Sequence, residues 1–183
     1  MQSRTPRQSA HEHGIQRVDN DARLSDELAS VVGGARRRAV RDGDRQIDTA
    51  HLLHSLLESD PEARAAFVEG PQIARLLGYL VQRSIGYGLR WQSGVEDSGA
   101  VLVVTETAGF SPLAAACMEY ARERAAERGG PARGTDLLAA IVVDPQARAV
   151  EVLGRAGIDP REVLGRLDGR SGIAQECGEA AAR

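Results

Sequence analysis

LSDELASVVGGARRRAVRDGDRQIDTAHLL, residues 24–53, and FSPLAAACMEYARERAAERGGPARGTDLL, residues 110–138, are two versions of one pattern. They align without a gap. Ser25 falls on Ser111, Ala29 on Ala115, Ala35 on Ala121, Arg36 on Arg122, Arg38 on Arg124, Ala39 on Ala125, Gly43 on Gly129, Thr49 on Thr135 and Leu52 on Leu138. A constant offset that carries a helix cap, a helix stop and a second helix start marks one folding unit used twice. Each copy then has a partner against which to bury its apolar face.

Working outward from this pattern, Ser25 opens the first helix. Its hydroxyl can accept from the free N–H groups of the first turn, and Asp26 and Glu27 suit the positive helix end. Leu28, Val31, Val32, Ala35 and Ala39 form an apolar stripe at helical spacing, and Gly43 stands where a left-handed C-cap ends it. In the second copy Ser111 is the cap, Pro112 occupies the first helical position and the stop is Gly129-Gly130. A short second helix follows in each copy, capped on this reading by Thr49 and by Thr135. Its apolar positions are Leu52, Leu53, Leu56 and Leu57, matched by Leu138, Ala139, Val142 and Val143. Asp60-Pro61 and Asp144-Pro145 read as starts of a third helix, Gly70-Pro71 and Asp159-Pro160 as starts of a fourth. These starts are out of register, so the repeat loosens after its second helix.

The expected fold is all-α, with two pseudo-twofold repeats of about four helices each. The limits read as a disordered arm over 1–22, repeat one over 23–85, a linker over 86–108, repeat two over 109–168 and a flexible tail over 169–183. Within the linker the β-branched run Val101 to Thr105 reads as one extended segment, and Trp91 as a local plug. Composition agrees with helices: 42% of residues are apolar and only 3% aromatic, so the core must come from Leu, Val, Ile and Ala. All 23 basic residues are Arg, the net charge is −3, and the bases are interleaved with acids, which argues against a nucleic-acid surface. Cys117 and Cys177 do not make a disulfide framework. No stretch is long and apolar enough to span a membrane, and the first residues have no apolar signal core, so cytoplasm is the expected location.

The doubled arrangement resembles the N-terminal domain of Clp chaperone ATPases, the double Clp repeat of the ClpA, ClpB and ClpC type. The residues carrying the resemblance are Phe110-Ser111-Pro112, Gly134-Thr135-Asp136-Leu137-Leu138, Thr49-Ala50-His51-Leu52-Leu53 and the closing Gly157-Ile158-Asp159-Pro160. It spans about residues 23 to 168. What it implies is a non-catalytic module that binds adaptor proteins, substrate proteins or peptide ligands, with a Clp ATPase as a possible partner. In relatives the face made by the first helices of the two repeats also receives cyclic peptides. The ATPase itself needs a Walker A loop, whose Lys neutralises nucleotide phosphates. A sequence without Lys has none, so the resemblance implies an N domain without its AAA+ module, acting as a free-standing receptor or decoy. In several ClpC-type domains the Glu of each G-T-E-H segment helps hold phosphoarginine. The corresponding positions here are Ala50 and Asp136, and Asp48 replaces the first Gly, so that reading is weakened.

The candidate partner- or peptide-binding residues are Leu24, Ser25, Phe110, Ser111, Thr135 and Asp136. Leu24 and Phe110 either staple their helices to the core or line a shared peptide groove. Arg36, Arg37, Arg38 and Arg41 form either a solvated helix face or a docking surface for an acidic partner. His51 and His54, with His11 and His13, lack a Cys or carboxylate at diagnostic metal spacing, so no metal is expected. Cys117 lacks a His and acid partner and reads as a small core residue. No catalytic residue and no cofactor is expected. The competing function class is a catalytic or sensory protein built on the same helical repeat.

Overall fold

The computed structural model describes residues 24–67, 70–84, 96 and 109–169. Expectations placed on the arm over 1–22, on linker residues 86–95 and 97–108 with Trp91 and the Val101 to Thr105 run, and on the tail beyond Gly169 lie outside the described residues. Among those described there are eight helices and no strand. They are α1 (Asp26–Asp42), α2 (Thr49–Ser59), α3 (Pro61–Arg64), α4 (Gly70–Ser84), α5 (Pro112–Arg128), α6 (Gly134–Val143), α7 (Arg148–Arg155) and α8 (160–169). Gly169, read as the start of the tail, is the last described residue of α8.

The first helices begin and end as their sequences require. Ser25 Oγ accepts the Leu28 N–H and Ser111 Oγ accepts the Ala114 N–H, each at 3.2 Å. Gly43 and Gly129 both close their helices at φ 75°, a conformation that costs an L side chain energy. The second helices start earlier than expected, α2 by one residue and α6 by two. The cap of α2 is Asp48, whose Oδ1 accepts the His51 N–H at 2.9 Å while His51 Nδ1 accepts the Asp48 N–H at 3.1 Å. The position that caps α6 is Arg133, which has no side-chain acceptor, so only the return bond forms, from Arg133 N–H to Asp136 Oδ2 at 2.9 Å. Thr49 and Thr135 are therefore first-turn residues rather than caps.

The two Asp-Pro pairs also part ways. Asp60 Oδ1 accepts from Ala63, three residues on, at 2.9 Å, and α3 starts directly at Pro61. Asp144 Oδ1 instead accepts from Gln146, two residues on, at 2.8 Å. That tighter ring makes a turn over 144–147 and delays α7 to Arg148, so Asp144-Pro145 is not a helix start.

The two halves are joined through their backbones. The lead-in to α1 pairs with the segment before α6, and the lead-in to α5 pairs with the segment before α2. Leu24 bridges Ala132 and Ile47 bridges Phe110, both in parallel. The bonds are Ser25 N–H to Ala132 C=O at 2.9 Å, Ser111 N–H to Ile47 C=O at 2.8 Å and Ile47 N–H to Gly109 C=O at 2.6 Å. This exchange draws both second helices into the centre. In α2 every residue from Thr49 to Leu57 is buried, and α2 packs against α1, α3, α4, α5, α6 and α7. The first helices lie outside and are amphipathic. Leu28, Val31, Ala35 and Ala39 of α1 face inward, as do Leu113, Met118, Ala121 and Ala125 of α5. Val143 breaks the match with Leu57: it ends α6 half-exposed, at 49%.

Two positions in this core carry testable consequences. A Cβ on Gly134 would lie 1.8 Å from Asp60 Oδ2 and 2.9 Å from Leu56 Cδ2, because the start of α6 presses on the α2–α3 junction. Gly134→Ala should cost about 1–3 kcal/mol by overpacking. Gly78→Ala and Gly154→Ala, in helices with nothing within 4 Å of the new Cβ, should stabilise by about 0.5–1 kcal/mol. Denaturant midpoints of the three variants check the pattern.

His54, whose side chain is 6% exposed, is pushed down to about 4, first by burial and then by the Arg38 charge, with Glu58 opposing. The unfolded chain takes up a proton near the ordinary value of about 6.5, the native protein only near 4. Unfolding therefore binds a proton in that window, so stability falls as pH drops through it, by up to about 3 kcal/mol. His54→Gln should flatten the stability–pH curve between those limits in urea titrations.

Candidate functional site

The Leu24–Ala132 pairing lays the start of α1 across the turn between α5 and α6. The result is a groove of about 960 Å³. One wall is Leu24, Ser25, Asp26 and Glu27. The other is Glu119, Arg122, Glu123 and Ala126 on the exposed side of α5, and Gly129, Gly130 and Pro131 close the end. Asp26, Glu27, Glu119 and Glu123 are all exposed, and Arg122 is paired with Glu119. The lining is thus acidic around the apolar surface of Leu24, Ala126 and Pro131. The Glu27 carboxyl is held below the usual carboxylate range by backbone and Ser25 hydrogen bonds and by the Arg133 charge.

The candidate residues from the sequence fall into two places. Leu24 and Ser25 line the groove. Thr135 is half-buried, and Asp136 is buried at 2% exposure. The Asp136 carboxylate takes the Arg128 guanidinium at 2.7 and 2.8 Å and the Arg133 N–H at 2.9 Å, and Arg124 Nε stands 3.6 Å away. Its acceptor sites are engaged within the chain. Ala50, the equivalent in the first half, is fully buried. At the second lead-in Phe110 is half-buried against the core, and Ser111 is 1% exposed.

Glu96 explains why Ser111 is closed, and sequence reasoning missed it. Glu96 is buried, at 4% exposure. It accepts the Ser111 hydroxyl at 2.8 Å, the Thr49 N–H at 2.9 Å, the Arg148 N–H at 2.8 Å and the Thr49 hydroxyl. Nothing in GVEDSG distinguishes this Glu from a solvated linker acid. The signal lies in the convergence of the α2 and α7 N-termini, which appears only on folding.

The histidines serve the core. Asp44, Asp48 and His51 lie close enough for one ion among the described residues. His51 Nδ1 accepts the Asp48 N–H at 3.1 Å and lies 2.8 Å from Asp48 Oδ1, while Nε2 stands 3.2 Å from Asp44 Oδ2 and 3.7 Å from Asp42 Oδ2. The ring is thus held between the cap of α2 and two neighbouring carboxylates. Burial pushes the Cys117 thiol up to about 12, with the Glu96 and Asp144 charges adding to the effect; it stays protonated and unreactive at neutral pH. Of the α1 arginines, Arg38 is largely buried and paired with Glu58, Arg41 pairs with Asp42 at 3.2 Å, and Arg36 and Arg37 are exposed.

No family model matches the sequence, and no curated protein matches it. Solved structures do. The N-terminal domain of the caseinolytic protease associated chaperone ClpD from Arabidopsis thaliana is similar at TM-score 0.56 and 16% identity, over 82% of this chain and 95% of that one. A chain from structural investigations of a malarial protein secretion system is similar at TM-score 0.58 and 14% identity, over 81% and 94%. The all-α architecture of this protein is that of a Clp chaperone N-terminal domain.

Proposed function

We propose that the protein is a non-catalytic binding module of the Clp N-domain type, which captures a segment of an adaptor, a substrate protein or a peptide ligand in the groove between α1 and α5. The observation that carries this reading is the inequality of two equivalent places. Ser25 opens onto a groove of about 960 Å³, whereas Ser111 is filled by Glu96. The acidic lining favours a segment with Arg or Lys side chains flanking an apolar one, since opposite charge steers and orients the partner. These 183 residues contain no Lys, hence no nucleotide-phosphate loop. The form of function we favour is capture, as a receptor or decoy for what binds a Clp N domain.

A peptide of alternating Arg and Leu should bind with unit stoichiometry in calorimetry, and more weakly as salt rises. Glu119→Arg with Glu123→Arg should weaken it by about tenfold or more and leave the melting temperature nearly unchanged, because both residues are exposed. Leu24→Ala should reduce affinity by about 1–2 kcal/mol as a groove contact. Phe110→Ala should instead lower stability and leave the affinity of the folded protein intact. Equal binding by the reversed-charge variant would reject the groove. The decoy role has its own measurement: added protein should slow degradation of a model substrate by a cognate Clp machine, and unchanged degradation rates would count against it.

A further inference from the structure

We infer that the meeting point of the α2 and α7 N-termini with Ser111 is a carboxylate-binding site, and that Glu96 is its resident ligand. This inference is independent of the groove. Four donors from three elements converge on one carboxylate. Oε1 receives the Thr49 hydroxyl and the Arg148 N–H at 2.8 Å, and Oε2 receives the Thr49 N–H at 2.9 Å and the Ser111 hydroxyl at 2.8 Å. Two donors per oxygen match the acceptor capacity of a carboxylate.

The hydroxyls are fixed as donors by what they accept. Ser111 Oγ takes the Ala114 N–H at 3.2 Å, and Thr49 Oγ1 takes the Ala149 N–H at 3.1 Å. Each therefore turns its own proton toward the site. The Arg148 guanidinium is held at Asp48 Oδ2, 2.8 Å away, so among the described residues the attraction comes from oriented N–H groups and two helix ends. All these donors belong to α2, α5 and α7 or their caps, which the core positions through contacts that do not involve Glu96. The site is preorganised for an anion with two coplanar oxygens, and a partner carboxylate would engage it only by taking the place of Glu96.

The test is chemical rescue. Glu96→Ala removes the resident carboxylate and leaves the donors. Its melting temperature should fall. Acetate or propionate at ~100 mM should then raise it by roughly 2–4 °C over chloride at equal ionic strength. Phosphate, with tetrahedral oxygens, should do less. The native protein, whose site is full, should not respond, and Glu96→Ala/Thr49→Val should lose the rescue. A Glu96→Ala protein that responds no more to acetate than to chloride, or a native protein that responds equally, overturns the proposal. If the variant folds poorly in chloride, refolding yield in acetate against chloride is the readout, and equal yields overturn it as well.

Discussion

The structure depends on a reciprocal backbone exchange. Ser25 N–H bonds Ala132 C=O, and Ser111 N–H bonds Ile47 C=O, at 2.9 and 2.8 Å. Each repeat thus lends its lead-in to the other. Few hydrogen bonds are involved, and each contributes only about 1 kcal/mol net. Their importance is geometric. They fix the two halves face to face, so that α2 and α6 share one core and neither repeat closes its own. They also set each cap serine over the other half, so that the two lead-ins occupy equivalent places.

Those two places have opposite fates although their serines are equivalent. Both cap a first helix with the same 3.2 Å bond. At Ser25 the neighbouring groups include the exposed acids Glu119 and Glu123 of α5. At Ser111 the neighbours are N–H groups of two helix ends, which favour a buried carboxylate. Burying a charge is costly unless every lone pair is met, and Glu96 meets that condition with four donors. Symmetry in backbone design is therefore compatible with asymmetry in side-chain surroundings.

The polar content of α2 follows the same logic. A helix buried on all sides carries Thr49, His51, His54 and Ser55. Thr49 and His51 are anchored in the N-terminal hydrogen-bond system. His54 stays neutral because burial outweighs its acidic neighbour Glu58. Close approach of α1 at Gly34, where a Cβ would meet Ser55 Oγ at 2.9 Å, leaves room for nothing larger. Residues that resembled metal ligands in the sequence are thus used to start and pack the central helix.

By itself the sequence determined the doubling, the serine caps, the glycine stops and the apolar stripes, because these are local properties of a chain with helical period. With them came the fold class and the likeness to Clp N domains. Helix starts governed by a choice between neighbouring caps were less legible. Asp48 displaced Thr49, and Asp144 closed a turn instead of a helix, since each outcome turns on which N–H its carboxylate reaches. The candidate site divided in the same way. Leu24 and Ser25, singled out by their place before α1, line the groove. The engagement of Asp136 by Arg128, the acidic face that α5 turns toward α1 and the seating of Glu96 were decided only by tertiary structure. Each joins residues whose proximity comes from folding, and their electrostatics depend on burial and on donors from other elements.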